Sequence, residues 1–131
     1  MSTTIPASHL DLLENGQIVI LGTNGPDGQP EITALWYVYA DGQVHMSIND
    51  ARQKAKNLAR DPRASAFFVD SQNPYRTLEL RGTVTITPDP DYTFAVAVNA
   101  KYHADVSQMD KAGESRSWVT LNVEKVLVFG K

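Results

Sequence analysis

"EITALWYVYADGQVHMSI", residues 31–48, is the stretch that decides the fold. Both of its halves are rich in β-branched and aromatic residues, and the Asp41-Gly42 pair between them is typical of a two-residue hairpin turn. In the second half apolar and polar residues alternate, as in a strand with one buried face. The stretch therefore predicts two antiparallel strands, over residues 31–40 and 43–48.

The first of these strands is unusual because both of its faces are apolar or aromatic. The alternating sets are Ile32, Ala34, Trp36 and Val38 on one face and Leu35, Tyr37 and Tyr39 on the other. A barrel strand needs an apolar side only toward the barrel interior, so the outer face requires a cover. We expect a second subunit or a flat ligand to provide it, and we predict a homodimer.

The rest of the chain adds four strands and three helices. The further strands are predicted over residues 17–23, 64–70, 76–87 and 117–129, and the helices within 9–16, 50–61 and 88–104. In the last strand, one face is predicted to carry Val119, Leu121, Val123, Leu127 and Phe129. Six strands joined mostly by turns favour a mainly β fold with peripheral helices, an antiparallel closed or half-closed barrel. Because no linker or repeat interrupts residues 1–131, we predict a single domain.

Composition excludes several classes of protein. Hydrophobic residues make up 42% of the chain and charged residues 21%, as in ordinary globular proteins. The absence of cysteine excludes disulfides and thiolate chemistry. A net charge of −3 argues against a nucleic-acid partner, and no apolar stretch is long enough for a membrane span. The first sixteen residues do not resemble a signal peptide, so we expect a cytoplasmic protein.

The histidines and tryptophans have ordinary structural interpretations. Three scattered histidines give no metal-ligand spacing, and we expect no metal site. His9 and His45 are expected at the surface, and Trp36 and Trp118 in the core. An ion pair is expected between Glu79 and Arg81, which lie on the same face of their strand.

Positive charge is concentrated in the second predicted helix and just after it. Five of the twelve Lys and Arg residues lie between positions 52 and 63, namely Arg52, Lys54, Lys56, Arg60 and Arg63. Asp50 is predicted to cap this helix, with Gln53 completing a capping box, which places Arg52 and Lys54 in the first turn. The helix dipole disfavours a cation there by roughly 0.3–1 kcal/mol.

A bound phosphate would reverse the sign of this effect. Helix N–H groups, a guanidinium and an ammonium would then converge on one anion, and the Ser47 hydroxyl is close in sequence. The cations of the later turns suit the dipole and are interpreted as a solvated face. A solvated face remains the alternative for the whole helix, but it explains Arg52 and Lys54 poorly.

The order of several motifs adds a family resemblance. These motifs are "DGQP" at 27–30, "ITALWYVY" at 32–39, "ARQKAKNLARDPRAS" at 51–65, "LRGTVTIT" at 80–87 and "KYHA" at 101–104. Together they resemble the flavin/deazaflavin oxidoreductases of the split β-barrel class, the superfamily that contains pyridoxamine 5′-phosphate oxidase. The chain is most similar to the short actinobacterial branch that uses the deazaflavin coenzyme F420.

The resemblance implies a six-stranded antiparallel split barrel of the FMN-binding type, which forms a homodimer with cofactor sites at the subunit interface. It implies that Arg52 and Lys54 bind the cofactor phosphate, with Ser47 and Ile48 alongside. The ring would pass Ile32, Thr33 and Ala34, with Tyr75 close to it. Lys56 or Arg60 would meet the anionic tail of F420, and the Lys101–Tyr102 segment would reach the partner's site.

The activity implied is hydride transfer from reduced F420 to a conjugated or quinone-like acceptor. Such a reaction needs no dedicated catalytic residue, and its proton would come from water or from Tyr75, Tyr102 or His103. The C-terminal substrate-binding segment of pyridoxamine phosphate oxidase is missing after "VLVFGK", so we expect no vitamin B6 oxidation. Three alternatives remain open: an FMN-dependent oxidoreductase, a non-catalytic cofactor carrier, and a nucleic-acid-binding barrel.

Overall fold

The structure, a computed structural model, describes residues 4–105 and 110–131. Its strands are β1 (Val19–Asn24), β2 (Pro30–Leu35), β3 (Val38–Ala40), β4 (Gln43–Asn49), β5 (Arg63–Asp70), β6 (Asn73–Pro88) and β7 (Arg116–Phe129). Its helices are α1 (Asp11–Glu14), α2 (Gln53–Arg60) and α3 (Thr93–Lys101). The described residues thus contain seven strands, one more than the sequence predicted.

All seven strands form one antiparallel sheet in the order β2-β1-β5-β6-β7-β4-β3. The two edge strands β2 and β3 are separated in sequence only by Trp36 and Tyr37. The sheet must therefore curl until its two edges lie side by side, which gives the predicted mainly β split barrel. Its interior is filled by apolar side chains from most strands, among them Leu21, Met46, Phe68, Leu80 and Leu121.

The predicted strand 31–40 is wrong as one element, because it is interrupted at Tyr37. The Tyr37 N–H is donated to the Tyr102 hydroxyl at 3.2 Å, and the Tyr37 carbonyl accepts from Lys101 Nζ at 3.0 Å. Side chains at the end of α3 thus satisfy backbone groups that a neighbouring strand would otherwise pair. The Tyr37 ring is fully buried, and its hydroxyl donates to the carbonyl oxygens of Leu12 and Leu13.

The residues predicted to share one face of the last strand do so only in its first half. Val119 and Leu121 are buried in the core. Gly82 of β6 is opposite Val123 and Arg81 is opposite Lys125, so one extra residue of β7 bulges out between them. After this bulge the alternation is inverted. Val126 packs against the core, whereas Phe129 is 66% exposed, so the prediction that Leu127 and Phe129 share one face with Val119 was wrong.

The surface prediction is wrong for His9 and holds in part for His45. His9 is buried, with Nδ1 2.8 Å from the Ser8 hydroxyl and Nε2 3.0 Å from the Phe129 carbonyl oxygen. His45 is half-buried, and its ring stacks on Trp118 with a centroid distance of 4.9 Å.

The predicted ion pair between Glu79 and Arg81 is present, at 2.5 Å. Within residues 4–105 and 110–131, no group of three or more acidic or histidine side chains has metal-site geometry. No helix in the same described ranges is long and apolar enough to cross a lipid bilayer.

Candidate anion-binding site

Helix α2 begins two residues later than the predicted capping box requires. Its N-cap is Arg52 and its first residue is Gln53, whose side chain donates to Asn57 Oδ1 at 2.9 Å. The Asp50 carboxylate instead accepts hydrogen bonds from the hydroxyls of Ser115 and Ser117, at 2.6 and 2.7 Å. Asp50 is therefore not the cap, and only Lys54 of the two predicted phosphate ligands lies within the first turn.

A cavity of about 300 Å³ adjoins this helix start. It is lined by Leu35, Trp36, Ser47, Asn49, Arg52, Lys54, Val98 and Arg116. Three of these residues are cationic and none is acidic. The structure thus brings together the predicted residues Ser47, Arg52 and Lys54, and it adds a third cation that the sequence reasoning missed.

The third cation, Arg116, reaches the cavity because β7 pairs with β4. In this pairing Arg116 lies opposite Asn49, and Trp118 lies opposite Ser47. The Arg116 guanidinium donates from Nη1 to the Ser47 carbonyl oxygen at 3.1 Å and to the Ser47 hydroxyl at 3.2 Å. Its Nε donates to Asp110 at 2.8 Å, which completes an ion pair.

The electrostatics of the cavity favour an anion. Burial, followed by the charges of Arg52 and Arg116, lowers the pKa of Lys54 below its ordinary value. Neither Arg52 nor Lys54 forms an ion pair with any residue in the described ranges. In the same ranges, the backbone N–H groups of Gln53 and Lys54 have no protein acceptor. Free N–H donors and unpaired cations at one helix start are the components of a phosphate site.

The predicted ring-binding segment leads directly into this cavity. Ile32, Thr33 and Ala34 are all exposed and belong to β2, which pairs with β1 along only one of its edges. The chain continues from them into Leu35 and Trp36 of the cavity wall. An elongated ligand can therefore place an anionic group in the cavity and a flat group along β2.

Trp36 does not lie in the core, contrary to the sequence-based prediction. It is 39% exposed, lines the cavity and stacks on Tyr102. Trp118 is half-buried between His45 and Phe94, with ring centroids 4.9 Å from each.

Several predicted site residues lie outside the cavity. The side chain of Ile48 is buried in the core, so only its main chain is available to a ligand. Lys56 is exposed on α2 and is not part of the cavity wall. Arg60 donates to the Asn24 carbonyl oxygen, and Arg63 pairs with Asp61.

Tyr75, Tyr102 and His103, the candidate proton donors, do not line the cavity. Tyr75 is 75% exposed, and its main chain lies beside Gly130, at the opposite end of β7 from Arg116. The Tyr102 hydroxyl donates to the Gln17 carbonyl oxygen at 2.6 Å. His103 is exposed just beyond the end of α3.

Comparison with known proteins assigns the family. The family model described as "Pyridoxamine 5′-phosphate oxidase" matches residues 5–129. The chain belongs to the pyridoxamine 5′-phosphate oxidase family. Family membership supports an oxidoreductase that uses a flavin-type cofactor, and the three cations of the cavity fit the phosphate of such a cofactor.

Solved structures of this superfamily superpose on most of the chain. One named F420 reductase is 28% identical with a TM-score of 0.84, and the match covers 94% of this chain and 98% of the other. A conserved hypothetical protein of Mycobacterium tuberculosis is 27% identical with a TM-score of 0.77, covering 96% and 85%. A putative pyridoxamine 5′-phosphate oxidase of Listeria innocua is 16% identical with a TM-score of 0.71, covering 92% and 94%, and shares the fold.

Proposed function

We propose that the protein is a coenzyme F420-dependent reductase, which transfers a hydride from the reduced deazaflavin to a conjugated or quinone-like acceptor. The observation on which the proposal depends is the cavity where Arg52, Lys54 and Arg116 converge beside the open edge of β2. The preference for F420 over other flavin-type cofactors is supported by the similar structure that is named an F420 reductase.

In this proposal the chain binds and orients the cofactor. The two unpaired cations and the free N–H groups of α2 hold the phosphate, and the main chain at Thr33 hydrogen-bonds the edge of the ring. Bound reduced F420 supplies the hydride. Lys56 is exposed on the same helix, and we expect it to meet the anionic tail that distinguishes F420 from FMN.

The candidate sources of the proton for the reduced product are water, Tyr75, Tyr102 and His103. The Tyr102 hydroxyl donates its proton in hydrogen bonds to the main-chain carbonyl oxygens of Gln17 and Tyr37, so this proton already has acceptors within the chain. Tyr75 lies far along the sheet from the cavity of its own chain. We therefore expect Tyr75 of the partner subunit to be the copy close to the ring.

The homodimer forms part of the same proposal, and an apolar outer face of the sheet supports it. The register places Ile20 of β1 beside Ala34 of β2 and Phe67 of β5, so their side chains share one face. Ile32 on this face is 73% exposed, and Val69 is 42% exposed. A second copy of the chain would cover these side chains and enclose the ring-binding edge of β2.

An FMN-dependent oxidoreductase is the second candidate. FMN presents the same elements, namely a ring, a ribityl chain and a phosphate, and the cationic cavity fits its phosphate equally well. FMN lacks the anionic tail that Lys56 would meet in the F420 complex. A carrier that binds the cofactor without turnover is distinguished from both by its lack of activity.

The proposal is tested by titrating the purified protein with F420 and FMN side by side and then assaying reduced F420 against quinones and conjugated acceptors. We expect micromolar or tighter binding of F420, turnover with at least one acceptor class, and a weaker complex with FMN. Lys56→Ala is expected to weaken F420 binding and to leave FMN binding unchanged. Tighter binding of FMN would select the second candidate, and F420 binding without turnover would select a carrier.

A further inference from the structure

A buried carboxylate lies directly behind the cavity. The side chain of Asp110 is only 4% exposed. Its Oδ1 accepts from Asn49 Nδ2 at 2.8 Å, and its Oδ2 accepts from Arg116 Nε at 2.8 Å and from the Tyr92 hydroxyl. Burial opposes ionisation of Asp110, but these hydrogen bonds outweigh it and hold its pKa below the ordinary value. The carboxylate is therefore charged and fixed from three sides.

This carboxylate is not itself part of the cavity wall, whereas Arg116 is. The Arg116 side chain is 10% exposed, with Nε bound to Asp110 and Nη1 bound to Ser47. Its Nη2 has no acceptor among the residues that the structure describes. A planar guanidinium held at two of its three nitrogens has a fixed orientation, and the third nitrogen remains available for a ligand.

We propose that Asp110 is a positioning residue of the anion site, which orients the Arg116 guanidinium toward the bound phosphate without contacting it. This inference rests on the proposed function, because it assigns a role within the same cavity. Asn49, at the end of β4, and Tyr92, at the start of α3, in turn donate hydrogen bonds to the Asp110 carboxylate. These two elements therefore contribute to the position of Arg116 through Asp110. The expected ligand chemistry is a phosphate group that accepts from Arg116 as well as from Arg52 and Lys54.

Two effects of removing this carboxylate have opposite signs, which makes the inference testable. Asp110 is the negative charge paired with Arg116. If its charge alone mattered, Asp110→Asn would increase the net positive charge at the cavity and tighten anion binding. If it orients Arg116, the same substitution frees the guanidinium and weakens anion binding. The direction of the change therefore separates positioning from simple electrostatics.

The experiment measures the affinity of wild type and Asp110→Asn for F420, and for inorganic pyrophosphate as a probe of the cavity alone. We expect Asp110→Asn to weaken the binding of F420 and of pyrophosphate by about three- to tenfold, since the charge-assisted hydrogen bond from Arg116 to the phosphate loses its geometry. Asp50→Asn is the matched control, because it removes one negative charge next to residues that flank Arg116: within the described ranges, the Asp50 carboxylate bonds only the side chains of Ser115 and Ser117. The control is expected to bind as tightly as wild type or slightly more tightly.

A double-mutant cycle with Arg116→Ala supplies a readout that a general structural defect would not give. If Asp110 acts through Arg116, Asp110→Asn weakens binding in the wild-type background and causes no further loss in the Arg116→Ala background. Equal losses in both backgrounds, or unchanged or tighter binding by Asp110→Asn alone, would overturn the inference.

A second variant covers the case in which Asp110→Asn does not fold. Arg116→Lys keeps the charge but cannot bond Asp110, Ser47 and a phosphate in one planar arrangement, so about the same weakening is expected. Affinity equal to wild type would overturn the inference. If wild type binds neither F420 nor pyrophosphate, the proposed function and the inference both fail. If Arg52→Ala weakens binding but the Asp110 and Arg116 variants do not, only the inference fails.

Discussion

The indole ring of Trp36 stacks on the phenol ring of Tyr102, with centroids 4.3 Å apart and planes inclined by 6°. The Tyr102 hydroxyl also hydrogen-bonds the main chain of Tyr37, which lies in the interruption between β2 and β3. The contact that separates β2 from β3 therefore also holds Trp36 in the wall of the anion cavity. Closure of the barrel and construction of the site depend on the same end of α3.

The first prediction concerns the pH dependence of cofactor binding. The pKa of Lys54 in the free protein lies below its ordinary value of 10.5, mainly because of burial and then because of Arg52 and Arg116. A bound phosphate stabilises the ammonium, so the pKa is higher in the complex than in the free protein. Affinity should therefore be constant near neutral pH and should fall as the pH rises through the free-state pKa of Lys54.

Lys54→Arg is the control for this prediction, because a guanidinium stays charged throughout the accessible range. Its affinity is expected to lack the alkaline decrease when measured by calorimetry or fluorescence titration over the same pH series. An alkaline decrease of the same size in Lys54→Arg would show that another group is responsible.

The second prediction concerns the outer face of β2. Ile32 is 73% exposed on this face, and a charge there would be buried against a second copy of the chain. Ile32→Asp is expected to raise the dimer dissociation constant at least about tenfold in sedimentation experiments. Val96→Asp is the matched control, since Val96 is 52% exposed on α3, which is not one of the strands that form this face. A monomeric wild type at micromolar concentration would contradict the homodimer itself.

The third prediction concerns the bulge that inverts the faces of β7. A Cβ atom on Gly82 would lie 1.9 Å from the Asn122 carbonyl oxygen, which is backbone and cannot rotate away. Gly82→Ala should therefore lower the free energy of unfolding by about 3 kcal/mol in urea titrations. Gly28→Ala is the control, because Gly28 has φ +85° but a Cβ atom there would have no atom within 4 Å. Backbone strain alone is expected to lower its free energy of unfolding by about 1 kcal/mol. Equal effects of the two substitutions would contradict the close approach.

The fold class was predictable because local patterns specify it. The alternation in residues 43–48 and the Asp41-Gly42 turn predicted β4 and the turn that precedes it, and the two-sided apolar character of 31–40 indicated that an outer face needs a cover. The interruption at Tyr37 was not predictable. Its backbone partners, Lys101 and Tyr102, are more than sixty positions away, and sequence patterns do not specify such long-range contacts.

The candidate site was predictable where its residues are close in sequence. Ser47, Arg52 and Lys54 lie within eight positions, so one strand end and one helix start bring them together. Arg116 was missed because only the pairing of β4 with β7 places it opposite Asn49. The capping prediction for Asp50 failed because the Asp50 carboxylate accepts hydrogen bonds from Ser115 and Ser117, which lie on either side of Arg116 in the sequence.

The most direct test of the central claim is the affinity of Arg52→Ala and Lys54→Ala for F420, with Arg63→Ala as a matched control. Arg63 is a cation just beyond the same helix, but its side chain is 72% exposed and paired with Asp61. We predict at least about tenfold weaker binding for each of the first two variants, because each loses a charge-assisted hydrogen bond worth roughly 1.5–3 kcal/mol, and unchanged binding for the control. Wild-type affinity in both Arg52→Ala and Lys54→Ala would contradict the assignment of this cavity to the cofactor phosphate.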